Sequence, residues 1–79
     1  MQAKVSAASS LAGQRVGELD LAARMGVDII ALRRDKDWII NPEKTEHIRS
    51  GDVLIVRGVH SGIKEFKELA EQKPQRRGD

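Results

Sequence analysis

The side chains able to do chemistry in this sequence gather in one short stretch. Residues 29–42, "IIALRRDKDWIINP", hold Arg33 and Arg34, Asp35 and Asp37, the only tryptophan, Trp38, and the amide of Asn41. A guanidinium grips a carboxylate or phosphate through its planar fork. Paired carboxylates can hold a hard cation or share a proton. Each residue also has a plainer use. Aspartates at a hairpin tip form turns, and so does Asn41. Arg33 and Arg34 can simply enter water at a strand end and pair with Asp35 or Asp37. Trp38 can plug a core. The histidines, His47 and His60, are framed by no motif and read as surface groups. Glu65 and Glu68 form a solvated helix face. Gly13 and Gly17 are too sparse for a dinucleotide-cradling loop. The absence of cysteine removes thiolate metal sites, disulfides and a cysteine nucleophile together. No base, nucleophile or metal cluster converges, so an enzyme is not expected, nor a metal site, and a binding role is.

The elements that must position these groups follow from periodicity. Residues 2–6 alternate and read as a short strand. Residues 16–25 have helical spacing, interrupted at Asp20 and Leu21, which predicts one irregular helix or two short ones. Gly26 suits the left-handed cap that ends them. Residues 27–34 are a strand, Asp35 to Asp37 a turn, and residues 38–40 its hairpin partner, closed by Asn41 and Pro42. Gly51 and Asp52 make a second turn before a strand over 53–57. A last helix spans 60–71, with Ile63, Phe66, Leu69 and Ala70 as its apolar stripe and Ser61 as candidate N-cap. The expected fold is α+β: a small mixed or antiparallel sheet in the order β-α-β-β-β-α, helices on one face.

That arrangement leaves a problem. Strict alternation sends Val27, Ile29 and Ala31 to one side and Ile30 and Leu32 to the other; Val53 and Ile55 likewise oppose Leu54 and Val56. Helices on one side leave the second side apolar and wet. Burying each such side chain is worth about 1.5–3 kcal/mol, and whole domains are stable by only about 5–15 kcal/mol. A second copy related by two-fold symmetry is the expected cover.

The chain has 79 residues, enough for one domain, with 14 Lys and Arg against 12 Asp and Glu. A net charge of +2 is weak evidence for a polyanionic partner, so nucleic acid is not the expected ligand. No apolar run approaches the ~20 residues that span a bilayer, and the N-terminal stretch lacks a secretory h-region. A cytoplasmic setting is expected, with residues 72–79 as a disordered basic tail after a module over 1–71. The terminal Arg-Gly-Asp is read as chance.

The ordered series Leu11, Gly13, Leu19-Asp20-Leu21, Gly26-Val27, Ile30-Ala31, Arg33-Arg34, Pro42, Gly51-Asp52, 53–56 and Gly58 resembles the TrkA C-terminal domain of the regulators of potassium conductance, over residues 5–69. The resemblance implies a two-fold dimer without catalytic role, which binds a regulatory ligand on the cytosolic side. Through it the dimer biases a potassium channel, uptake system or cation–proton antiporter. No cofactor is required. In some members the ligand is cyclic di-AMP across the dimer interface; the positions that look equivalent are Ile29, Ile30, Arg34, Asn41 and Pro42. The nucleotide-binding half of such regulators is absent here, and a PhoU-like or nucleotide-binding domain is a candidate neighbour. Two other readings stay open: a small dimeric nucleic-acid binder, and an interaction domain without ligand.

Overall fold

The computed structural model describes residues 1–74. Most of the predicted tail therefore lies outside the described residues. The elements are β1 (Gln2–Lys4), α1 (Val16–Leu19), α2 (Leu21–Met25), β2 (Val27–Arg34), β3 (Asp37–Ile40), β4 (Val53–Gly58) and α3 (His60–Ala70). The four strands form one sheet in the order β1-β4-β2-β3, and every pair is antiparallel.

The predicted irregular helix is two helices. Asp20 sits between them with φ 47° and ψ 44°, a left-handed conformation that aspartate tolerates and that breaks the α ladder. Gly26 ends α2 in the same region, as its type predicts. The hairpin turn is shorter than expected, because Asp37 already pairs with Arg34 and only Asp35 and Lys36 remain at the tip. Asp35 there has φ 57°. The predicted cap Ser61 lies inside the first turn of α3; the cap position is Val59, with no side-chain bond to the helix.

The helices sit on one face. α3 packs on β1, β2, β4 and α2, and α2 packs on β2. Phe66 and Ala70 of α3 are fully enclosed there, against Leu32, Leu54 and Val56 of the sheet. The approach is close enough that a Cβ at Gly62 would collide with the Met25 carbonyl oxygen, so this helix position admits no side chain.

One expectation about the faces needs correction. The pairing of β2 with β4 runs Ile29 opposite Val56, then Ala31 opposite Ile55, so Ile30 is an extra, bulged residue. The bulge resets the alternation. Val27, Ile29 and Leu32, not Ala31, face the helices, and Leu32 is fully buried opposite Leu54. The other face carries Ala31, Arg33, Val53 and Ile55, flanked by Trp38 and Ile40 of β3. Trp38 is 52% exposed and Ile40 71%, so the tryptophan is not the core plug expected. Its ring instead lies under the Arg33 guanidinium, 5.8 Å from centroid to Cζ.

The connection 41–52 is anchored to the segment before α1. Val16 N–H donates to the Glu46 carbonyl and Gly17 N–H to that of Lys44, both at 2.9 Å. Ile48 N–H donates to Gln14 O at 2.8 Å, and Ile48 itself is buried in the core. Among the described residues, no helix is long and apolar enough to cross a membrane.

Candidate functional site

The connection 41–47 carries the chain from one end of the hairpin to the other, and the polar geometry of the molecule is arranged along it. β3 stops opposite Ala31. The Asn41 N–H then closes the ladder by donating to the Ile30 carbonyl at 2.8 Å, and Asn41 adopts φ 49° so that the chain turns away before Pro42. Beyond that point β2 has a partner only on its β4 side. The vacated edge is the floor of a cleft of about 480 Å³. Val27, Asp28 and Ile29 form that floor. Val16, Gly17, Asp20, Leu21 and Ala22 make one wall, and Asn41, Pro42, Glu43 and Lys44 the other.

Three of the five predicted ligand residues, Ile29, Asn41 and Pro42, therefore meet in one cavity. Ile29 is mostly enclosed in the core, while Asn41 is exposed and Pro42 half-buried. Ile30 adjoins the cleft as the bulged residue and is tied to Asn41 by its carbonyl. Arg34 is elsewhere. It lies four residues further along β2, which at ~3.3 Å per residue is about 13 Å from Ile30.

Arg34 does not enter water or pair with Asp35 or Asp37. Its Nε donates to Asp52 Oδ1 at 3.0 Å and its Nη2 to Asp52 Oδ2 at 2.8 Å, a fork-on-fork pair. Nη2 also donates to the His47 carbonyl at 2.9 Å. The remaining nitrogen, Nη1, stands 3.6 Å from Glu46 Oε2. Asp52 is 1% exposed and takes a third bond, from the Arg49 N–H at 2.9 Å. The bonds to Asp52, above all, raise the Arg34 pKa, against the lowering effect of burial. The pair holds more than the hairpin. The Asp52 carbonyl accepts from Val5 N–H at 2.8 Å, and Gly51 N–H donates to Val5 O at 2.7 Å, so the N-terminal segment hangs on the same turn.

Asp52 and Glu46 are the residues that sequence reasoning missed. Gly51-Asp52 is legible as turn chemistry, but no local pattern reports that its carboxylate meets an arginine 18 positions earlier. Among the described residues no group of three His, Cys, Asp or Glu is placed to hold a metal ion. Asp35 serves the turn, and Asp37 opens β3 opposite Arg34.

Residues 1–71 match the family model of the TrkA-C domain. Ktr system potassium uptake protein C of Bacillus subtilis is 38% identical over 65 residues, which cover 82% of this chain and 29% of that protein. The chain spans less than a third of the length of the curated relatives it matches. Among solved structures, the regulator of conductance of K+ (RCK) C domain of the potassium transport protein KtrA, in complex with cyclic diadenosine monophosphate, is 32% identical with a TM-score of 0.77. The match covers 86% of this chain and 78% of that one. The RCK C domain dimer of Streptococcus agalactiae BusR, also in complex with c-di-AMP, superposes with a TM-score of 0.81 over 92% of this chain and 96% of that one. At 23% identity that likeness speaks to the fold alone.

Proposed function

Because this chain belongs to the TrkA-C domain family, a regulatory family without catalytic chemistry, we propose that it is the ligand-binding and dimerisation module of a cytoplasmic regulator of potassium transport. A cyclic dinucleotide, cyclic di-AMP, is its ligand. The observation that carries this reading is the convergence of Ile29, Asn41 and Pro42 on one cleft. Aliphatic walls take a base, and a polar group fixes its orientation. Arg34 supplies positive charge at the far end of β2, where its Nη1 faces Glu46. The acids that line the cleft, Asp20, Asp28 and Glu43, oppose a phosphate inside it, so the phosphates lie toward Arg34 rather than deep in the cavity.

The cleft sits on the free edge of β2, and Asp28 belongs both to it and to the uncovered face of the sheet. A second copy meeting that face by two-fold symmetry covers Trp38 and Ile40 and brings two clefts to a common interface. A ligand that prefers one arrangement of the two subunits shifts the pair toward it, and the attached channel, uptake system or antiporter follows. The rest of the regulator, whether PhoU-like or nucleotide-binding, transmits the shift.

Thermal unfolding of the purified chain with and without cyclic di-AMP tests the ligand. At a hundredfold excess over Kd the gain should be about 2.7 kcal/mol. An unchanged midpoint with cyclic di-AMP would remove this ligand from consideration.

A further inference from the structure

The two edges of the Arg34 fork have different fates. Nε and Nη2 are locked on Asp52, which is 1% exposed. Among the described residues Nη1 meets only Glu46, at 3.6 Å, beyond hydrogen-bond length, with the two side chains 22% and 31% exposed. One fully buried anion holds the arginine at 2.8 Å, and a second, partly exposed one neutralises it through a loose contact. Glu46 is free to leave without disturbing the loop, since its backbone carbonyl, not its carboxylate, is what ties the loop to Val16.

We propose that Glu46 is a built-in competitor for the ligand's phosphate: it occupies the outer nitrogen of Arg34, and the ligand must displace it. This rests on the reading of Arg34 as a ligand group. Asp52 is then a positioning residue, which holds Nε and Nη2, leaves Nη1 to Glu46 and keeps the rest of the fork from following the ligand. Glu46 sets the concentration at which the module responds, because every binding event exchanges a carboxylate for a phosphate at one nitrogen. The exchange is close to balanced in charge, and a partly exposed ion pair as long as 3.6 Å is weak, so the threshold shift is modest.

The two acids therefore have opposite effects on binding, which no purely structural role predicts. Titration calorimetry with cyclic di-AMP as probe reads this directly. Glu46→Gln should tighten the Kd by about three- to tenfold, since a neutral amide surrenders Nη1 without a charge to replace. Asp52→Asn should weaken it, and if that variant does not fold, Glu46→Gln decides alone. Glu65→Gln, the same charge change on α3, should leave the Kd as in the parent. Weaker or unchanged binding by Glu46→Gln while the parent binds overturns the competitor role and leaves the functional reading intact. Equal tightening by Glu65→Gln overturns it too, as a general charge effect. Failure of both the parent and Glu46→Gln to bind overturns the functional reading and this inference together.

Discussion

Both faces of the sheet carry large apolar side chains, and these live in different conditions, with Arg33 and Asp28 among them on one face alone. On the helix side Leu32, Leu54, Val56 and Phe66 are at most 1% exposed. On the other side Ile40 is 71% exposed and Trp38 52%, beside Val53 and Ile55, which are half-buried by their strand neighbours alone. For the apolar residues the number of layers makes the difference. A chain this small can cover one face of a four-stranded sheet with its own helices, and α2 and α3 pack there. The covered face holds the stability of the subunit. The open face is surplus to the fold and is therefore available for association.

Truncation on the covered face should cost most. Phe66→Ala removes the largest enclosed side chain and should lower stability by about 3–5 kcal/mol in a urea titration. A smaller loss than about 1 kcal/mol would mean that α3 is not what seals the core. Next comes the clasp at the sheet's end. Asp52→Asn leaves Arg34 the His47 carbonyl and the loose contact with Glu46 but no enclosed counter-charge, and removing one charge of this pair should cost about 3 kcal/mol. Loss of amide protection at Val5, whose N–H bonds the Asp52 carbonyl, should accompany it. The open face should respond least in stability and most in assembly. Ile40→Lys should shift subunit stability by no more than ~0.5 kcal/mol, yet sedimentation should show a monomer for this variant and a dimer for the parent chain. The lone tryptophan reports the same event, because Trp38 loses water only when the face is covered. Emission from Trp38 that ignores protein concentration would place the interface elsewhere.

The sequence was informative wherever structure depends on near neighbours. The strand over 27–34 has the boundaries its β-branched residues suggest, and the break at Asp20 and the cap at Gly26 fall where residue type demands. The apolar stripe of α3 is legible too, since Phe66 and Ala70 recur at helical spacing and are fully buried. The candidate site was legible in part. Asn41 and Pro42 announce the end of β3, and ending β3 is what opens the cleft over Ile29. The role of Arg34 was not legible, because its partners lie 12 and 18 positions later and carry no local mark.

By itself, then, the sequence determined which residues are strand, helix and turn, because those preferences are settled within a few bonds of each residue. Only the tertiary structure decided which face each residue serves. The bulge at Ile30 falls where the pairing of β2 with β3 ends, and this one inserted residue sends Leu32 inward and Ala31 outward. Period-two patterning cannot show such a step, since a single residue out of register reverses every assignment after it.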